Sequence, residues 1–306
     1  MRIAVIDTGT NSTRLLVAEV KDGQVSELKR LTTVTRLGEK MDSGGHLLPA
    51  ARERVDECIN NYAGQIEKLG VDRVIILATS SVRAAIDGEE FLRKLAISRG
   101  FDWKLLSGEE EACLAYAGAT IGIGHDDRVM LFDVGGGSTE IVSGINAEAD
   151  FIRSLDIGCV RLTERFIHSD PVDSKELEDS AGFIESVLKR ELDPGSWNKS
   201  GKTIAVAGTA TSLAAIDLGL TIYDRDRVHG HVLSTGRIGE LLHGLAAMTL
   251  AEKLEIPTME KGRADVIVAG TLILERLASY SGVKELHVSE RDILDGAALA
   301  MESGAI

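Results

Sequence analysis

Ile3-Ala-Val-Ile-Asp7-Thr-Gly9-Thr-Asn-Ser-Thr13 and Val129-Met-Leu-Phe-Asp133-Val-Gly-Gly-Gly-Ser138-Thr139 carry one pattern twice, 126 residues apart from Asp7 to Asp133. Each is an apolar, strand-like run that ends in Asp, turns through Gly, Ser, Thr or Asn, and enters a second β-rich run. Glycine in such a turn permits a positive φ or a close backbone approach. Successive N–H groups in the turn form a concave anion site, and the Ser and Thr hydroxyls add donors. The Asp cannot bind a phosphate directly, but it can hold a cation or a water that does. A pair of such hairpins facing each other would clamp a phosphate chain and its metal from two sides.

One such turn alone would read as an ordinary hairpin, with Gly and Asn chosen only for φ > 0. Its repetition with the Asp in place argues for a ligand. Neither copy is a Walker A loop, since no Gly-Lys-Ser/Thr follows, and neither is a dinucleotide fingerprint, since a strand rather than a helix comes next.

Working outward, Arg2–Asp7, Thr13–Val20 and Gln24–Leu37 read as a β-meander with a hairpin at Asp22-Gly23. Val55, Ile59, Tyr62, Ile66 and Leu69 form a helical stripe closed by Gly70. The strand Arg73–Thr79 enters a second helix through Thr79-Ser-Ser-Val-Arg83, and Ser107 with Glu110 makes a capping box for a helix over 108–120. After a reset at Gly122–Asp127, strands follow Asp133, and helices are expected at Cys159–Ile167 and Ser174–Leu192, before a break at Pro194-Gly195. Lys202–Ser212 echoes the earlier Arg73–Ser81 strand and turn. The last third reads as helices at Ser234–Met248, Leu250–Leu254 and Ala264–Ser281, a strand at Glu285–Val288 and a final helix at Asp292–Met301. Two elements recurring in the same order indicate an internal duplication. The expectation is an α/β protein of two similar domains, 1–124 and 125–306, with a ligand cleft between them and the final helix, about 292–306, able to pack back on the first.

Composition bounds the function. The chain has 306 residues, 44% hydrophobic and 27% charged, ordinary for a globular protein. No uncharged stretch exceeds 14 residues, too short to span a bilayer. Met1-Arg2-Ile3-Ala4 leads straight into a strand without the shape of a signal peptide. Cys58, Cys113 and Cys159 form no close pair, and reduced, buried thiols of a cytoplasmic protein are expected. A net charge of −14 argues against nucleic acid or an anionic membrane as partner. It leaves room for a phosphate substrate, because fields are local beyond about 10 Å at 0.1 M salt. Residues 1–124 carry 16 Lys/Arg against 18 Asp/Glu, whereas 125–306 carry 18 against 30, so the first half is more hospitable to a polyanion.

Among candidate groups, Glu109 and Glu110 are explained by the helix dipole and the capping box, while Glu111, one step further round, is explained less well. Glu140, seven residues after Asp133, is either a surface strand residue or the second half of a carboxylate pair around a divalent ion. Arg83 and Arg161 suit bidentate phosphate contact or a surface ion pair. His229-Gly-His231 has metal-like spacing with no third ligand nearby, and reads better as a loop contact.

Together, Ile6-Asp-Thr-Gly-Thr-Asn-Ser-Thr-Arg-Leu-Leu16, Thr79-Ser-Ser-Val-Arg83, Ser107-Gly-Glu-Glu-Glu-Ala112, Asp133-Val-Gly-Gly-Gly-Ser-Thr-Glu140 and Gly208-Thr-Ala-Thr-Ser212 closely resemble the exopolyphosphatase / guanosine pentaphosphate phosphohydrolase family. Asp156–Thr163, Gly262–Val266 and Val288–Gly296 look like its short, two-domain exopolyphosphatase branch. The resemblance implies an actin-like (ribonuclease H-like) duplicated fold with an interdomain phosphate-binding cleft. It implies Glu111 as catalytic base, Asp133 and Glu140 as carboxylates for Mg²⁺ or Mn²⁺, and Gly9, Thr10, Asn11, Ser12, Arg83, Gly136, Gly137 and Ser138 as phosphate contacts. Many members carry Gly-x-Arg-Glu-Gly near the C-terminus, where this chain has Asp292-Ile-Leu-Asp-Gly296. The activity implied is metal-dependent hydrolysis of the terminal phosphoanhydride of inorganic polyphosphate. The alternatives are guanosine pentaphosphate 5′-phosphohydrolysis and a non-enzymatic, actin-like nucleotide sensor. A homodimer is left open.

Overall fold

The computed structural model describes residues 1–40, 45–124, 127–145, 148–193 and 201–306. The Pro194-Gly195 break lies outside them. The chain divides into two units, Met1–Ile121 with Arg291–Ile306, and Gly122–Glu290.

The first unit is a sheet of β1 (Arg2–Thr8), β2 (Ser12–Lys21), β3 (Gln24–Val34), β4 (Arg73–Ala78) and β5 (Asp102–Leu105), in the order β3-β2-β1-β4-β5. β1 is central, antiparallel to β2 and parallel to β4, so its run Ile3-Ala-Val-Ile6 is buried on both faces. Asp22 and Gly23 both take positive φ, 53° and 72°, as the tight β2–β3 hairpin requires. β3 stops at Val34 rather than Leu37. There the N–H groups of Thr35 and Arg36 donate to the carbonyl of Asn11 at 3.1 and 2.8 Å, and Arg36 turns through φ 48°.

Helix α1 (Pro49–Leu69) buries Val55, Ile59, Tyr62 and Ile66 against β1 and β2 side chains such as Ile6 and Leu15, and ends at Gly70 with φ 61°. α2 (Ser80–Ala84) is a single turn after β4, and α3 (Gly88–Ile97) follows. α4 (Gly108–Ala119) starts at the Ser107/Glu110 capping box. Its buried side is Ala112, Ala115, Tyr116 and Ala119, which leaves Cys113 exposed rather than buried as expected. All three cysteines are free.

The second unit repeats the plan. β6 (Arg128–Val134), β7 (Thr139–Ile145) and β8 (Glu148–Leu155) form the meander, β9 (Lys202–Val206) lies parallel beside β6, and the sheet order is β10-β11-β9-β6-β7-β8. Read from β8, five strands match the first sheet one for one, with β11 (Glu285–Val288) in the place of β5. β10 (Val232–Ser234) is an added antiparallel edge strand. Its three residues, and the one-turn helix α8 (Arg225–Val228), are too short for a periodicity to announce.

The other helices are α5 (Cys159–Phe166), α6 (Ser174–Glu191), α7 (Ala207–Asp217), α9 (Thr235–Ala247), α10 (Leu250–Leu254) and α11 (Ile267–Ser281). α11 begins three residues later than expected because Arg263, Ala264 and Val266 close turns onto Glu260 and Arg263. It is buried almost all round, from Ile267 to Leu274, and forms the middle of a core with Phe132, Ile141 and Leu213. The last helix, α12 (Ile293–Ser303), returns to the first unit. Among the described residues, no helix is long and apolar enough to cross a membrane.

Candidate active site

Each unit places a turn at the end of its central strand. In the first, Gly9 N–H donates to the carbonyl of Ser12 at 3.0 Å; in the second, Gly135 N–H donates to the carbonyl of Ser138 at the same 3.0 Å. Both turns point carbonyl oxygens into the protein, where they are used. Asn11 O accepts from Thr35 and Arg36, and Thr10 O from Gly38 at 2.9 Å. Gly135 O accepts from Cys159 and Gly136 O from Val160, both at 2.9 Å, so the first N–H groups of α5 are capped by the turn itself. Gly158 makes this possible, since a Cβ there would overlap the backbone of Gly136 and Gly137. The sequence reading missed Gly158 and Gly38, whose signal was only a glycine outside the repeated pattern. A Cβ on Gly38 would overlap the Thr10 side chain and come within 3.1 Å of Ser81 Cβ, so this glycine packs the first turn against the β4–α2 turn.

Around the first turn the unit gathers Thr10, Asn11, Thr79, Ser80 and Ser81, all buried, with Ser12 at the edge. Ser81 Oγ is buried without a hydrogen-bond partner among the described residues, and so is Asp7 Oδ1. Burial pushes the Asp7 carboxyl up, against the pull of Arg14. Glu111 stands in the first turn of α4 and is only 9% exposed. Arg83, carried by α2, donates from Nη1 to the carbonyl of Leu106 at 2.7 Å and to Glu111 Oε2 at 3.2 Å. The structure therefore joins Arg83 to Glu111, a contact across 28 positions that the sequence did not indicate.

Around the second turn, Asp133 and Glu140 are direct cross-strand partners on β6 and β7. Such pairs share one face of the sheet, with Cβ atoms about 5 Å apart. Glu140 is 1% exposed, so it is no surface residue, and Ser154 Oγ donates to its Oε1 at 2.8 Å. Two buried carboxylates on one face are a hard oxygen donor set that suits Mg²⁺ or Mn²⁺, which complete their shells with water and substrate oxygens. Among the described residues no cluster of three or more His, Cys, Asp or Glu forms a fuller metal site. Thr139 Oγ1 is tied to the carbonyl of Ile157 at 2.7 Å, while Gly135 and Gly136 are partly exposed at the rim of the turn and Gly137 and Ser138 are buried.

Two other candidates separate from this chemistry. Arg161 pairs with Asp156 at 3.3 Å. His231 pairs with Asp217 at 2.7 Å while His229 Nδ1 accepts from Glu290 N–H, so the His-x-His spacing makes two unrelated contacts.

The model of the Ppx/GppA phosphatase family matches residues 16–303. The chain belongs to that family. It is 35% identical to exopolyphosphatase 2 of Mycobacterium tuberculosis over 98% of both chains. The crystal structure of the Aquifex aeolicus Ppx/GppA family member superposes with a TM-score of 0.84 at 30% identity, covering 100% of this chain and 98% of that one. A solved exopolyphosphatase-like protein reaches a TM-score of 0.92 at 30% identity, with all of both chains covered. The two matching sheets are thus those of the family's two-domain α/β fold.

Proposed function

We propose that this family member is a metal-dependent exopolyphosphatase, which hydrolyses the terminal phosphoanhydride of inorganic polyphosphate and releases orthophosphate. As a Ppx/GppA phosphatase it is a phosphoanhydride hydrolase, and the relative named exopolyphosphatase 2 favours polyphosphate as substrate. The observation that carries the reading is Glu111, a buried carboxylate in the Ser107–Ala112 motif that accepts a hydrogen bond from the Arg83 guanidinium.

In this mechanism Glu111 orients the attacking water and takes its proton. Gln could do the first but not the second. The turn amides and the Thr10, Ser12 and Ser138 hydroxyls fix the phosphoryl oxygens, and Arg83 adds a charge-assisted contact. Asp133 and Glu140 would hold the Mg²⁺ or Mn²⁺, which would supply positive charge to offset that of the phosphoryl group. Catalysis is then mostly positioning and electrostatic stabilisation.

The same terminal-phosphate chemistry serves a guanosine pentaphosphate 5′-phosphohydrolase, the second reading, which the breadth of the family supports. Phosphate release from polyphosphate, guanosine pentaphosphate and ATP, with Mg²⁺ or EDTA, tests both. Metal-dependent release from polyphosphate, reduced about 10²-fold or more by Glu111→Gln, is expected. Preference for the guanosine compound keeps the site and changes the substrate. Binding without release from any of the three sinks the hydrolase and favours a nucleotide sensor.

A further inference from the structure

Helix α12 reaches the elements that carry the first turn through contacts that the proposed chemistry does not use. Asp292 caps α12, its Oδ1 accepting from Leu294 N–H at 3.0 Å. Its Oδ2 accepts from Arg14 Nη1, and Arg14 Nε and Nη2 donate to Asp7 Oδ2 at 3.1 and 2.7 Å. Arg30 closes the outer side, with Nη2 on Asp295 Oδ2 at 2.7 Å and Nε on Glu27 at 2.9 Å. The same end of α12 lies backbone to backbone on α4. A Cβ on Gly118 would overlap the carbonyl of Asp292, and one on Gly296 would overlap the carbonyl of Leu114. One helix end thus touches both the strand pair that carries Asp7 and the helix that carries Glu111.

We infer that Asp292 is a positioning residue. Acting through Arg14, it fixes Asp7 at the foot of the first turn, while the Gly118–Gly296 crossing holds α4, so that α12 keeps the first turn and Glu111 in one frame. The inference rests on the reading of Glu111 and the first turn as parts of a hydrolase site.

Stability alone is a poor reason for this arrangement. Buried ion pairs commonly add little over apolar side chains of the same size, and a neutral Asn would cap α12 as well as Asp does. The charged arrangement supplies direction instead. Arg14 engages one oxygen of Asp7, Oδ2, from two nitrogens and leaves Oδ1 buried without a hydrogen-bond partner among the described residues. The charge state agrees with this geometry: burial acts to raise the Asp292 carboxyl, but Arg14 and Arg30 outweigh it and hold the group ionised below the usual range.

The test is Asp292→Asn, which keeps the cap and the shape but removes the charge that holds Arg14. With polyphosphate and Mg²⁺, kcat is expected to fall about ten- to a hundredfold, as for a small misplacement of catalytic groups, with KM changed less than about twofold. In the Asp7→Asn background the same substitution is expected to change kcat less than about twofold, since coupled residues are non-additive. Amide exchange at residues 8–13 is expected to quicken while that of α12 does not. An equal loss in both backgrounds, or exchange that quickens in α12 itself, overturns the inference in favour of a merely structural role. If Asp292→Asn does not fold, Arg14→Lys, which keeps the charge but loses the fork, is read in the same way. If the wild type hydrolyses none of the substrates, the hydrolase reading fails, but the exchange comparison still decides: quickening confined to 8–13 supports the positioning contact, and no change there overturns it.

Discussion

Asp133 and Glu140 face each other across the β6–β7 ladder at the position where, in the first unit, Asp7 faces Arg14. The two hairpins share strand order, spacing and turn hydrogen bond, and they differ in the sign of this one cross-strand partner. In the first unit Arg14 neutralises the Asp; in the second Glu140 doubles it. In the proposed mechanism a divalent cation is drawn to the second turn, and the first is left to neutral donors and Arg83.

This asymmetry predicts that Glu140→Arg, which would copy the first hairpin's pairing into the second, removes activation by Mg²⁺ while leaving the unfolding midpoint within a few degrees. Ser154→Ala, which only takes away the hydroxyl on Glu140 Oε1, is expected to raise the Mg²⁺ concentration for half-maximal activity about tenfold, as for other outer partners of a metal ligand. A Mg²⁺ titration of phosphate release checks both.

Arg83 ties Glu111 to the β5–α4 connection, and in the proposed mechanism it also offers donors to phosphate. Arg83→Ala is expected to lower kcat and raise KM together, each about tenfold or more, whereas Glu111→Gln acts on kcat alone. Added guanidinium should restore part of the activity of Arg83→Ala and none of that of Glu111→Gln. Equal rescue of the two variants would contradict this division of labour.

Gly158 and Gly182 make a matched pair for stability. A Cβ on Gly158 would overlap the Gly136–Gly137 backbone, so Gly158→Ala must shift the second turn and is expected to cost about 1–3 kcal/mol. Gly182 lies within α6 with nothing in a Cβ's way, so Gly182→Ala is expected to add about 0.5–1 kcal/mol through helix propensity. Urea unfolding of the two variants reads the opposite signs.

The cysteines predict an alkaline weakness. Burial pushes the Cys159 thiol from its ordinary 9.0 up to about 11, so the folded state holds the proton that the unfolded state gives up. A raised folded pKa means that the contribution to stability is full below about pH 9 and is lost as pH rises toward 11. The slope is about 1 kcal/mol per pH unit in that window, and Cys159→Ala should flatten it. In the native protein at pH 8 a thiol reagent should label Cys113, the exposed cysteine, and reach Cys58 and Cys159 only on unfolding.

Much of this architecture could be read in one dimension because it is written locally. The Asp-turn-strand pattern needs only adjacent residues, so its two copies, the duplicated α/β fold and the family all emerged from the sequence. So did the Ser107/Glu110 capping box and the α1 stripe, which depend on spacings of three and four. Boundaries failed where a distant group decided them. β3 ends early because Asn11 captures the amides of Thr35 and Arg36, and Cys113 is exposed because helix α4 turns its small residues inward.

The tertiary structure alone decided which distant charges meet. Nothing near Arg83 in the chain announces Glu111, and nothing near Arg14 announces Asp292, 278 positions away. The same holds for Gly158 under the second turn and for the Gly118–Gly296 crossing, since close backbone approach leaves no mark in sequence beyond a glycine. Local patterns fix hydrogen bonds and apolar periodicity within a few residues. Ion pairs and backbone crossings between distant segments are set by how those segments pack.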